Sequence, residues 1–177
     1  MTTLLPLAFR QRCERIAIDW RWKLGNRFAY DPLPALELLN ALQAMVLTFD
    51  DVKGLSPEHR QHLSTISAFI YSINPVVILH NPQHSPARYE SNMMHECAHI
   101  LLKHPMILFD PALPNPPRDP QHESEATYLG GCLQIPKRGL FWAVQRKMAP
   151  EQIAGHFGAS CEMVRYRANM SKLKLMI

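Results

Sequence analysis

Apolar positions recur every three to four residues over about residues 6–25 and 32–44, which predicts two amphipathic helices, the second opened by Asp31-Pro32. The period then changes. Met45-Val46-Leu47-Thr48-Phe49, Ala68-Phe69-Ile70-Tyr71 and Val76-Val77-Ile78-Leu79 are short runs rich in β-branched and aromatic side chains and predict three strands. Between the first two, Gly54 and Ser56-Pro57-Glu58 predict a loop or short helix. Ser85-Pro86 is a capping residue followed by proline at the first helical position, and no glycine or proline follows until Pro105, leaving room for about five helical turns. Met94, Cys97, Ala98, Leu101 and Leu102 make one apolar face of this helix, with Met93 and Ile100 elsewhere around the wheel, so it should be buried on most sides. Six prolines from Pro105 to Pro120 exclude regular structure there and predict an irregular wall or lid. Further helices follow. The pattern gives an α+β fold, mostly helical, with a small three-stranded sheet packed on the central helix.

That central helix carries His95-Glu96-Cys97-Ala98-His99. Positions i and i+4 share a helix face, so both imidazoles can reach one tetrahedral metal while the intervening carboxylate leans towards the same place. The spacing predicts a zinc hydrolase with His95 and His99 as ligands and Glu96 as general base. Polar groups in so apolar an element need partners, and a metal supplies one.

A catalytic zinc needs a third protein ligand and an open fourth position. The continuation H-E-x-x-H-x-x-G-x-x-H would require glycine at 102 and histidine at 105, where the chain has Leu102 and Pro105. His104 follows His99 by five residues, points away from the i, i+4 face and reads as a helix-end histidine near the negative pole of the dipole. The remaining source is a carboxylate on the next helix. Glu125 has Leu129, Cys132 and Leu133 at +4, +7 and +8, which makes its face the inward one and Glu125 the expected ligand. Glu123 lies about 200° away on the wheel and reads as a solvated first-turn acid. Tyr128, Tyr89 and His156 are candidates for stabilising an oxyanion, and spacing does not choose among them. A structural zinc would use four ligands and be rich in cysteine, so a binding module held together by metal is the weaker reading.

His95-Glu96-Cys97-Ala98-His99-Ile100-Leu101-Leu102, followed by Glu125-Ala126-Thr127-Tyr128-Leu129-Gly130-Gly131-Cys132-Leu133-Gln134-Ile135-Pro136, resembles the ImmA/IrrE metallo-endopeptidases, with the Glu, the Ala and the closing Pro in register. Ile153-Ala154-Gly155-His156-Phe157-Gly158-Ala159-Ser160, Val164 and Arg167 are similar to the carboxy-terminal pattern of the same family. Thr127, Leu129, Gly130, Gln134 and Lys103 depart from it without touching the proposed ligands. The resemblance covers about residues 30 to 170. It implies a zincin-like domain holding Zn²⁺ on His95, His99 and Glu125, with Glu96 as catalytic base. It also implies a substrate of the helix-turn-helix repressor kind. Many relatives carry such a module at the amino terminus, where this sequence has no room for one, so the expected partner is encoded separately.

Composition adjusts the picture at the edges. A chain of 177 residues, 47% hydrophobic, can bury one good core and predicts a single domain over residues 1–177. No apolar run approaches a membrane span, and Leu4-Leu5-Pro6-Leu7-Ala8-Phe9 is too short and lacks the basic lead of a signal peptide. Cys13, Cys97, Cys132 and Cys161 form no C-x-x-C pair and read as reduced packing residues, which predicts a cytoplasmic protein. The net charge of +4 conceals an acidic middle. Residues 1–27 carry six basic and two acidic side chains, residues 28–136 five and eleven, and residues 137–177 eight and two. The acidic part suits a cation and a basic peptide, the basic ends an acidic partner. Within the last part, Ala154, Gly158 and Val164 have helix-turn-helix spacing, so a DNA-binding or protein-interaction regulator with a zincin-like fold and little peptidase activity is the alternative reading. Against it, Arg167 stands where such a motif usually has an apolar residue.

Overall fold

The computed structural model describes residues 5–52, 56, 57, 61, 65–105 and 118–175. The loop expected about Gly54 and Glu58, and most of the proline-rich wall expected between Pro105 and Pro120, fall outside them. In chain order the elements are α1 (Leu7–Lys23), α2 (Ala35–Ala41), β1 (Met45–Thr48), a 3₁₀ turn (Phe49–Asp51), β2 (Ala68–Ile73), β3 (Val76–His80), α3 (Pro86–Leu102), α4 (Pro120–Gln134), α5 (Lys137–Gln145), α6 (Pro150–Phe157) and α7 (Cys161–Ser171).

The second helix starts later than Asp31-Pro32 predicts. Asp31 instead closes a turn, its carboxylate accepting from the Phe28 N–H at 2.6 Å. Leu33 precedes Pro34 and is thereby steered away from the helical region. The first helical N–H, that of Ala35, is taken up from outside by Glu90 of α3 at 2.9 Å. Phe49, expected at the end of β1, begins the 3₁₀ turn because Thr48 and Asp51 form a reciprocal cap.

The sheet has the order β1-β3-β2, with β1 parallel and β2 antiparallel to β3. Side chains alternate between its faces as the pleat requires. Ala68, Ile70 and Ile78 turn into the main core with Met93, Met94 and Cys97 of α3, while Phe69 and Leu79 join Phe49 in a smaller cluster. The sheet therefore backs the central helix, as expected for a zincin-like α+β fold. A second apolar cluster is built by α5, α6 and α7 around Leu140, Ile153, Phe157 and Val164.

Two buried arginines tie the helices together. Arg21 of α1 donates to the carbonyls of Ala17, Asp31 and Gln134, and Arg167 of α7 donates to the Ile135 carbonyl at 2.8 Å and to Glu14 of α1. Gln134, also buried, accepts from Ser91 Oγ at 2.9 Å and donates to the Gly158 carbonyl at 3.0 Å, joining α3 to the turn after α6.

Candidate metal centre

Both helices that form the centre begin the same way. Ser85 accepts from the Arg88 N–H with Pro86 next in line, and Asp119 accepts from the Gln121 and His122 N–H groups with Pro120 next. These caps fix the phase of each helix and hence which side chains meet. α3 presents His95 and His99, as their spacing requires, with Nε2 atoms 3.0 Å apart.

The carboxylate that meets them is Glu123, not Glu125. Glu123 Oε2 lies 3.3 Å from His95 Nε2 and Glu123 Oε1 3.5 Å from His99 Nε2. Among the described residues these three are the group whose donors all lie within 4.8 Å of one another. That placement differs from the expected Glu125 and has a physical cause in α4, which has two buried faces. Leu129, Cys132 and Leu133 are fully buried, and on their side the Cys132 thiol meets Glu14 of α1. The face against α3 is the small one, marked by Ala126 and Gly130. A Cβ on Gly130 would stand 3.1 Å from the Met94 carbonyl oxygen and 3.2 Å from the His95 backbone. Glu123 precedes Gly130 by seven residues and so shares its stripe. The close approach of the helices, marked by a glycine rather than by leucines, is what brings Glu123 to the two histidines.

Glu125 is placed one layer behind. It lies 3.1 Å from His104 Nε2, and His104 Nδ1 lies 3.0 Å from His99 Nδ1. Continuing the helix past Leu102 would carry His104 away from the site. The chain instead reverses at Lys103, which is left-handed (φ 57°, ψ 40°), and the His104 N–H donates to the His99 carbonyl at 3.1 Å. This C-cap folds the imidazole back under the helix end. Arg118 is a second residue that spacing does not reveal, with its guanidinium 3.4 Å from Glu123.

The electrostatics suit metal binding. Burial, then the neighbouring His95 ring, push His99 down to about 4, so it is a neutral imidazole with a lone pair to give. Hydrogen bonding to His95, with Arg118 adding to it, holds Glu123 down at about 2 as a carboxylate. The first turn of α4 also favours its charge. Glu96 is 4% exposed, and burial raises its carboxyl above the ordinary range against the opposing pull of His95 and Arg118. Burial thus eases the uptake of a proton by Glu96, which is what a general base requires. Donors each ~2.0–2.1 Å from a tetrahedral zinc stand about 3.3 Å apart. The two imidazole nitrogens stand 3.0 Å apart, His95 Nε2 lies 3.3 Å from Glu123 Oε2 and His99 Nε2 3.5 Å from Glu123 Oε1, and with one donor taken from each residue all three lie within 4.8 Å of one another.

Of the oxyanion candidates, Tyr128 packs with Phe9 and under Arg167, and His156 donates to the Tyr30 carbonyl at 2.7 Å while stacking near Trp142. Tyr89 lies on the stripe of Glu96, two turns earlier in α3, with its ring against His80. The cysteines are free, and burial raises the Cys13, Cys97 and Cys132 thiols, which agrees with packing roles.

The model of the Peptidase M78 family, the IrrE N-terminal-like domain, matches residues 56–169. Among solved structures the fold is similar to a Mycobacterium tuberculosis transcriptional regulator, with 13% identity and a TM-score of 0.57 over 93% of this chain and 52% of that one. The chain thus spans about half the length of that structure, and at this identity the likeness concerns the fold alone. No curated protein sequence matches. A family match over most of the chain, with the metal centre inside the matched stretch, leads to one conclusion: the chain belongs to the M78 peptidase family of IrrE N-terminal-like domains, a metallopeptidase family.

Proposed function

We propose that the protein is a zinc-dependent endopeptidase in which His95, His99 and Glu123 hold the metal and Glu96 moves the proton. The observation that carries this is the convergence of one donor each from His95, His99 and Glu123, on two capped helices, within 4.8 Å of one another. When bound, zinc supplies Lewis acidity that polarises a peptide carbonyl and makes water easier to deprotonate. Glu96, buried beside His95, accepts a proton as water adds to the carbonyl carbon, and returns it to the amide nitrogen as the C–N bond breaks. Arg118 holds Glu123 from the solvent side and leaves its carboxylate facing the two imidazoles.

The substrate we infer is a helix-turn-helix repressor supplied as a separate protein. The acidic balance of residues 28–136 favours a basic partner, and the resemblance of the sequence to ImmA/IrrE peptidases points the same way. A cytoplasmic location accords with such a substrate and with the reduced thiols. Among the described residues no helix is long and apolar enough to cross a membrane.

Elemental analysis and a peptidase assay together test the reading. The purified protein is expected to hold about one zinc per chain. His95→Ala, His99→Ala and Glu123→Gln should lose it. Glu96→Gln should keep it while cleavage of a basic peptide or of a purified repressor falls by about 10²–10⁴-fold. Full zinc occupancy in Glu123→Gln would remove the ligand assignment, and undiminished cleavage by Glu96→Gln would remove the mechanism.

A further inference from the structure

We propose that His104 and Glu125 are a positioning pair that holds His99 in one tautomer and one ring orientation towards the metal, an inference that rests on the zinc reading above. The hydrogen-bond chain fixes its own direction. His99 aims Nε2 at the donors of His95 and Glu123, so when that nitrogen offers its lone pair the ring hydrogen sits on Nδ1. His99 Nδ1–H then donates to His104 Nδ1, 3.0 Å away. His104 must consequently carry its own hydrogen on Nε2, which lies 3.1 Å from the Glu125 Oε2 that accepts it. The other Glu125 oxygen accepts from Gln121 Nε2 at 2.9 Å, which fixes the carboxylate in turn. Each hydrogen has one acceptor, and each step determines the next.

The surroundings keep the chain in place. His104 is 7% exposed, and the His122 ring lies nearly parallel to it, with centroids 4.4 Å apart. Its backbone is anchored to the His99 carbonyl by the left-handed turn at Lys103, so the residue that positions the ligand ring is tied to the ligand's own main chain. A carboxylate at the far end strengthens the lone pair that His99 offers and removes rotation of its ring, which is how outer hydrogen bonds raise the affinity of a metal-binding histidine. Glu125, adjacent to the centre without joining it, acquires a definite role.

Zinc affinity measured by competition with a chromophoric chelator tests the pair, with the melting temperature of the metal-free protein recorded alongside. His104→Phe keeps the ring and loses both nitrogens, and should weaken zinc binding by ~10–100-fold. His104→Asn, whose Oδ1 can stand in for Nδ1 as acceptor, should recover part of that loss. Glu125→Gln should weaken binding on its own but add little to His104→Asn, because the link is already cut in that background. Cobalt bound to His104→Asn should show a shifted visible absorption, which a merely structural substitution would leave alone. Wild-type affinity in both His104→Phe and Glu125→Gln would overturn the proposal. So would complete loss of zinc from Glu125→Gln to the level of His99→Ala, since Glu125 would then be a donor itself. Should His104→Phe fail to fold, wild-type affinity in both His104→Asn and Glu125→Gln would overturn it equally. Failure of the unmodified protein to take up zinc would sink the underlying metal reading, and is told apart because it needs no variant.

Discussion

Gly130 sets the distance between the two helices that form the centre. Its missing side chain lets the α3 backbone come so near that any Cβ would press on the Met94 carbonyl and the His95 main chain. Backbone, unlike a side-chain tip, cannot swing aside. Gly130→Val is therefore expected to destabilise the fold by about 1–3 kcal/mol, the usual range for overpacking, and to weaken zinc binding as Glu123 is pushed away from His95 and His99. Thermal melting and a zinc titration of the variant check both effects. The same residue explains what is legible at this scale. His95, Glu96 and His99 follow from spacing because a single helix fixes their relation. The third carboxylate depends on which face of another helix comes closest, and the apolar stripe of Leu129, Cys132 and Leu133 points to a different side, where Cys132 meets Glu14 of α1. His104 escapes a reading by spacing because a left-handed lysine at the C-cap carries no reliable sequence signal, glycine being the usual occupant.

Among the elements, α6 and α7 share one buried face of Ile153, Phe157 and Val164, all three in the second apolar cluster. Phe157→Ala is expected to cost about 3–5 kcal/mol, measured by denaturant unfolding, and to lower zinc retention at elevated temperature if this cluster unfolds together with the rest. Arg167 couples the two clusters. It is fully buried, donates to the Ile135 carbonyl and Glu14, and lies 5.3 Å from the Tyr128 ring centroid. Its unusual place in a helix-turn-helix pattern is visible in the sequence, but its partners are not, because Glu14 lies 153 positions away in the chain. Gln134 is similar: a polar side chain within an apolar pattern, whose acceptor and donor needs are met by Ser91 and Gly158 from two separate elements. Element boundaries are legible where a cap and a proline coincide, at Ser85-Pro86, and shift where a proline acts on the residue before it, at Leu33.

At the scale of the molecule, the basic carboxy-terminal part separates capture of a partner from chemistry. α6 and α7 meet through a turn with Gly158 in the left-handed region, as in a helix-turn-helix, but Met163, Tyr166 and Arg167 of α7 approach Gly131 of α4. The exposed stripe is left with Glu162, Arg165, Asn169 and Lys172. Replacing Arg165 and Lys172 by Glu is expected to leave cleavage of a short peptide unchanged and to slow that of an intact protein partner at low salt. Tight, sequence-selective duplex binding that these changes abolish, seen in gel shifts at two salt concentrations, would favour the DNA-reader alternative. The close approach at Gly130 has a last consequence, one of mass action. Because the proposed donors sit on two different helices, an ion that binds only when they are docked would draw the population towards the docked form, by about 2.7 kcal/mol at free zinc one hundred times its dissociation constant. Excess zinc should accordingly restore the melting temperature lost in Gly130→Val and leave unrescued a variant such as His99→Ala, making the metal a clamp across a helix pair whose spacing one glycine determines.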